Sequence, residues 1–224
     1  MLKHFVNGVW GGNSVTTGEK LDPCTGQVQS VYCKANYDDV YLAVRTAKHF
    51  QKEWRALGRV KRSEVLANAL TILTKNAKQY AFVISSETGK NINESMAEVL
   101  ESKHMLEYTV AQGRAECGKW LPSEMADRDV AIIRKPKGVV AVISPWNFPM
   151  AIGGFWCAAP ALLEGNAVVW KPSEHTPKIA EEVCKMYIEA GLPNGVLNLV
   201  QGTGTTGAEL VKANVDHACF TGSR

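Results

Sequence analysis

The chain reads as an α/β protein built on a parallel sheet with helices over both faces, and two observations in residues 138–224 carry that reading. First, four short apolar runs, Val139 to Ile143, Ala167 to Trp170, Val196 to Val200 and His217 to Phe220, are separated by helical stretches. Runs that are apolar throughout are strands buried on both faces, and a repeating strand, helix, strand order demands right-handed crossovers in a parallel sheet. Second, the intervening stretches have helical spacing. Ala151 to Leu163 is almost wholly apolar, Thr176 to Ala190 turns Ile179, Val183, Met186 and Tyr187 inward, and Thr206 to Ala213 makes a short third helix.

Upstream of Gly138 the texture differs. FVNGVW and GQVQSVYC predict short strands separated by glycine turns. From roughly Asp38 to Gly118 the pattern is helical: Val40, Val44, Ala47 and Trp54 share one face, Leu66, Leu70 and Leu73 a second, and Met96, Val99, Leu106 and Val110 a third. These stripes predict packing rather than sites. Asp129 to Lys137 alternates as a strand of an extended arm. The chain thus divides into residues 1–118, 119–137 and 138–224, with no internal repeat and no low-complexity linker.

With 224 residues, 46% hydrophobic and 21% charged, the chain is long enough to bury a core of ordinary globular composition. The net charge of +3 is interspersed, without the Lys/Arg run that marks a nucleic-acid or membrane-surface patch. The opening MLKHFVNGVWGGNSVTTGEK lacks the apolar core of a signal peptide, and no stretch approaches the roughly 18 apolar residues of a membrane span, so a cytoplasmic protein is expected. Six cysteines, at positions 24, 33, 117, 157, 184 and 219, form no C-x-x-C pair and have no histidine at zinc-ligand spacing. Each reads as a small buried hydrophobe, Cys157 in GGFWCAAPALL above all, and no metal is expected.

Ligands of parallel sheets bind beyond the carboxyl ends of the strands. The first strand closes in Ser144-Pro145-Trp146-Asn147-Phe148-Pro149, where two prolines hold the backbone around an asparagine. A fixed amide NH₂ there can donate to an oxygen that turns negative during addition to a carbonyl. Alternatively Asn147 caps the helix that follows. The second strand closes in Lys171-Pro172-Ser173-Glu174-His175-Thr176-Pro177, where the cation and the carboxylate can both face a ribose, or Glu174 can merely serve a helix dipole. After the third strand, Gly202-Thr203-Gly204-Thr205-Thr206-Gly207 has G-x-G-x-x-G spacing, with Asp216 as the only candidate for the acid that usually follows. That loop is either a close backbone approach to a ligand or a tight turn.

Taken in order, SPWNFP, PALLEGNAVVWKPSEHTP, AGLPNGVLNLVQG and FTGS, together with ETGK at Glu87 to Lys90, resemble the aldehyde dehydrogenase superfamily along essentially the whole chain. The resemblance implies a Rossmann-like parallel sheet with flanking helices and an oligomerisation arm. Residues 1–118 would be the helical part of the cofactor-binding domain, 119–137 the arm strand, and 138–224 the Rossmann-like part. It gives Asn147 the oxyanion role and places Ile143 and Trp146 along the cofactor cleft. Lys171 and Glu174 would hold the adenosine ribose, Gly204 would lie beside the adenine, and Gly222 and Ser223 would meet the pyrophosphate. The G-x-G-x-x-G loop then becomes an adenosine-side loop, and the Glu174 carboxylate favours NAD over NADP. Within the superfamily, LPSEM (Leu121 to Met125) and GVLNLVQG (Gly195 to Gly202) are similar to succinylglutamate-semialdehyde dehydrogenase of arginine catabolism.

Members of that family also carry an E-L-G-G segment with the general base and a G-Q-x-C segment with the nucleophilic thiolate, and neither occurs in these 224 residues. The expectation is therefore a cofactor-binding part without the catalytic domain. It would be inactive alone and would work with a C-terminal catalytic half on a small aldehyde, as a homo-oligomer when complete. The competing expectation is a truncated or split module that only binds nucleotide or a partner.

Overall fold

The computed structural model describes residues 1–12 and 15–223. Each apolar run becomes a strand of one six-stranded sheet. Its strands are β1 (His4–Val6), β2 (Val9–Gly11), β7 (Val139–Ile143), β8 (Ala167–Lys171), β9 (Leu197–Leu199) and β10 (His217–Phe220), in the order β10-β7-β8-β9-β1-β2. The four strands β10, β7, β8 and β9 are mutually parallel, as the sequence predicts. The FVNGVW segment corrects the all-parallel expectation, because it folds as the β1–β2 hairpin and adds to β9 antiparallel through Phe5 opposite Leu199. A hairpin this short is marginal alone, so docking on a sheet edge supplies the partner it lacks.

The strands β7, β8 and β9 are buried on both faces by alternate residues, whereas the edge strand β10, expected to be covered, is largely exposed. Val139, Ala141, Val169 and Val200 pack against α1 (Tyr37–Ala56) and α7 (Gly204–Lys212). Val140, Val142, Val168 and Trp170 face the opposite way, onto α6 (Pro177–Glu189) and the helical segment after β7. Beyond these lies a further helical layer of α2 (Arg59–Lys75), α3 (Ala77–Thr88) and α4 (Ile92–Gln112). From roughly Asp38 to Gly118 the sequence pattern shows three helices, and the structure has four, α1 to α4. Asn76, with φ −104° and ψ 16°, breaks what would otherwise be one helix into α2 and α3.

The other differences are local. GQVQSVYC forms β4 (Val28–Cys33), whose partner β3 (Thr17–Leu21, TGEKL) carries too few apolar residues to be read as a strand. The arm is a hairpin of β5 (Gly118–Pro122) and β6 (Asp129–Ile133), where a single strand over Asp129 to Lys137 is expected. After β7, residues Ala151–Ala158 wind as a π-helix before continuing as α5 (Ala159–Leu163). Gly153 permits this packing, since a Cβ there would overlap the Trp170 ring. That ring is held in place by its Nε1, which donates to Ser144 Oγ at 2.8 Å, and Tyr187 donates its hydroxyl to the π-helical Gly154 carbonyl at 2.7 Å.

Candidate active site

The parallel register sets the position of the site. Ile143 is level with Lys171 on one side and Phe220 on the other, so β7, β8 and β10 end at one edge of the sheet. The ladder continues one residue beyond each end, with Ser144 N donating to Lys171 O at 3.2 Å and Thr221 N to Ile143 O at 3.1 Å. The loops that follow therefore rise together around a cleft of about 850 Å³. Ile143, Trp146, Asn147, Lys171, Glu174, Gly204, Gly222 and Ser223, the eight residues singled out in the sequence, all line it.

The N-termini of the two helices that follow β7 and β8 find their acceptors outside these loops. The π-helix has no side-chain cap from its own loop. Instead, Glu98 of α4 accepts from Met150 N at 2.9 Å and from Ala151 N at 3.2 Å, both through Oε1. Asn147 is therefore not the cap. Its side chain is exposed on the cleft. Helix α6 likewise has no cap from Thr176, and its Lys178 and Ile179 amides donate to the two carboxylate oxygens of Glu87, each at 2.8 Å. Glu174 does not take these amides, and its Oε2 lies 3.9 Å from Lys171 Nζ.

Lys171 is almost fully buried, and its ammonium donates to the Pro172 and Gly202 carbonyls at 2.6 and 3.2 Å. Burial holds it below the usual lysine range, with Glu174 partly opposing that shift. One cation thus ties the end of β8 to the loop after β9. In that loop Gly202 has φ +154°, and a Cβ would overlap the Thr206 hydroxyl, so the first glycine of the G-x-G-x-x-G segment serves a tight turn. A Cβ on Gly207 would sit 3.4 Å from Lys171 Cδ, whereas one on Gly204 would meet nothing within 4 Å. Asp216 points away from the cleft: its Oδ2 accepts from Val139 N at 2.8 Å and stays with the start of β7.

A second cleft of about 940 Å³ adjoins the first across Ile152 and Thr221. Phe148, Trp156 and Cys157 form its apolar wall, and Glu94, Glu98 and Glu101 of α4 line the opposite side. Cys157 is the cysteine nearest the loop of Asn147 in sequence, and its environment does not activate it. Burial, with Cys219 beside it, pushes its thiol up to about 11, and burial also raises Cys184 and Cys219. A nucleophilic cysteine needs the reverse shift. Among the described residues there is no group of His, Cys, Asp and Glu that could hold a metal ion.

Sequence reading missed Glu87 and Glu98. ETGK was noticed as a motif, but its glutamate bonds to amides 91 and 92 residues away. The available signal was negative: two helices begin after proline-containing turns without a working local cap, so distant acceptors were required.

The sequence pattern of the aldehyde dehydrogenase family matches residues 10–224. Among solved structures, an NAD-dependent benzaldehyde dehydrogenase from Corynebacterium glutamicum superposes with a TM-score of 0.92 at 32% identity, over 99% of this chain and 49% of that one. An NADP-dependent enzyme of E. coli gives 0.88 at 31%, over 92% of this chain and 43% of that one. A Staphylococcus aureus betaine aldehyde dehydrogenase in complex with NAD⁺ gives 0.88 at 26%, over 93% and 43%. The chain spans about half the length of these relatives.

Glu87 makes a pH prediction. Burial pushes its carboxyl up to about 7 against the pull of the Lys178 and Ile179 amides and of Lys20 and Lys178. The folded state then holds this proton more tightly than the unfolded chain does, so its contribution to stability declines as pH rises from about 4.5 to 7 and levels off above. The full change is on the order of 3 kcal/mol. Thermal melts from pH 5 to 8 should show the wild type losing stability with rising pH and Glu87→Gln losing distinctly less, whereas parallel curves would contradict this.

Proposed function

The chain belongs to the aldehyde dehydrogenase family, and on that premise we propose that its residues bind NAD and stabilise the oxyanion in the oxidation of an aldehyde to a carboxylic acid. The observation that carries this reading is the cleft at the ends of β7, β8 and β10, where Asn147 faces the cavity while a distant glutamate performs the capping it would otherwise do. The residues present fit a dinucleotide. Gly204 leaves open space at the cleft wall, and the Lys171 ammonium and Glu174 carboxylate, 3.9 Å apart, would hold the ribose together. Ile143 and Trp146 line the cleft beside them, and the Gly222–Ser223 turn offers backbone to the pyrophosphate. When bound, NAD supplies the two-electron acceptor.

The chain's own contribution to the chemistry is electrostatic. As a thiolate adds to the aldehyde carbon, the carbonyl oxygen gains negative charge, and the Asn147 amide donates to it from a backbone already fixed by Pro145 and Pro149. The adjoining cleft, walled by Phe148 and Trp156, takes the aldehyde's substituent. Cys157, Cys184 and Cys219 are all shifted toward the neutral thiol, which does not suit them to be that thiolate.

The exposed β5–β6 hairpin, with Trp120 71% and Ile133 64% accessible, is the arm through which we expect a homo-oligomer to form. Succinylglutamate semialdehyde is the substrate that LPSEM and GVLNLVQG favour. Those stretches lie on the arm and around β9, outside both clefts, so this assignment rests on the resemblance. No helix among the described residues is long and apolar enough to cross a membrane. A cytoplasmic setting is our reading.

In an active enzyme containing these residues, Asn147→Ala should lower kcat by about 10²–10³ while leaving NAD affinity nearly unchanged, because the amide meets a charge that exists only after attack. Steady-state kinetics with a titration of NAD separate the two, and a defect confined to NAD binding would assign Asn147 to the cofactor. Glu174→Ser should shift the ratio of kcat/KM for NAD over NADP toward NADP, since it removes a negative charge from beside a 2′-phosphate and leaves Lys171 in place. An unchanged ratio would take Glu174 out of the ribose site.

A further inference from the structure

We propose that Glu98, together with Lys90, is the positioning element for Asn147: it clamps the far end of the 144–150 loop so that the amide is held on the cleft. The proposal rests on the oxyanion role given to Asn147 above.

The loop is fixed at its near end, where Trp170 Nε1 donates to Ser144 Oγ at 2.8 Å. Beyond Ser144, Pro145 and Pro149 have no N–H to give, so the first amides after the second proline belong to Met150 and Ala151. Both donate to Glu98 Oε1, at 2.9 and 3.2 Å, deep in the protein where Glu98 has no exposed side-chain surface. The other oxygen, Oε2, is 2.8 Å from Lys90 Nζ. That same ammonium lies 4.2 Å from the centroid of the Phe148 ring. Three contacts therefore converge on Phe148, Met150 and Ala151, immediately past Asn147, and all are made by Glu98 and Lys90.

Between these two clamps Asn147 makes no side-chain hydrogen bond among the described residues, so its own contacts do not orient it. Its direction is inherited from the backbone on either side. A buried carboxylate accepting two amides and one ammonium is a stiff anchor, because each partner it lost would be left unsatisfied away from water. Glu98 does not line the cleft of Asn147, and although it borders the adjoining cleft its side chain has no exposed surface there, so its action on Asn147 runs through the loop.

Three measurements test this. In the 224-residue chain, hydrogen exchange at the Met150 and Ala151 amides should be faster in Glu98→Gln than in wild type at matched global stability; unchanged exchange would overturn the clamp. In an active enzyme, Glu98→Gln and Lys90→Met should lower kcat about 10- to 100-fold with little change in KM for NAD, the cost of a slightly misplaced donor. On an Asn147→Ala background, the same Glu98→Gln change should cost less than about twofold, because the group it positions is gone. Equal losses on both backgrounds, or a lowered melting temperature with kcat unchanged, would make Glu98 a structural residue only. If wild-type enzyme oxidises no aldehyde, the oxyanion reading fails in that control, while the exchange measurement still reports whether the loop is clamped.

Discussion

Two glutamates on the helical layer, Glu87 and Glu98, hold the site in place. Each reaches the N-terminus of a helix that follows a parallel strand and takes two backbone amides there, at 2.8 and 2.8 Å for Glu87 and 2.9 and 3.2 Å for Glu98. Helix N-termini must find acceptors, and carboxylates suit the positive end of the dipole. Since the acceptors come from α3 and α4, the side chains of the loops themselves are released from capping. Asn147 and Glu174, both residues of a type that commonly caps or flanks a helix, are left facing the cleft.

The two anchors differ in electrostatics, and the difference is informative. Glu98 has Lys90 at 2.8 Å and keeps its countercharge within the same local unit. Glu87 has only the weaker pull of Lys20 and Lys178 against nearly complete burial, so desolvation wins and its carboxyl rises to about 7. The turn after β8 is therefore held by a carboxyl pushed up to about 7, and the turn of Asn147 by a carboxyl group with an ammonium at 2.8 Å. An unpaired buried carboxylate is costly, and keeping it here indicates that its two amides are worth more satisfied than free.

Much of the fold was legible in the sequence, because the parallel strands are continuous apolar runs and the helix stripes repeat at 3.6 residues. The buried faces of α1 and α6 follow those stripes through Val40, Val44, Ala47 and Trp54, and through Ile179, Val183, Met186 and Tyr187. What was not legible depends on tertiary context. TGEKL becomes β3 only because β4 lies beside it, and the α2–α3 break at Asn76 leaves no glycine or proline to mark it. The π-helix at Ala151–Ala158 reflects the Trp170 ring seated against Gly153, a contact between residues 17 apart. The composition of the cleft could be read from strand ends. Its supports could not, since no local pattern links Glu98 to Met150.

The central claim is that the edge formed by β7, β8 and β10 is a dinucleotide cleft, with the neighbouring apolar cleft reserved for a different ligand. Hydrogen exchange measured on an active enzyme containing these residues, with and without saturating NAD, tests it most directly. The account predicts slower exchange in residues 143–147, 171–175, 203–208 and 221–223, with the face of α4 opposite Trp156 unchanged. Slowing centred on α4 and Trp156, with none at 171–175, would contradict it.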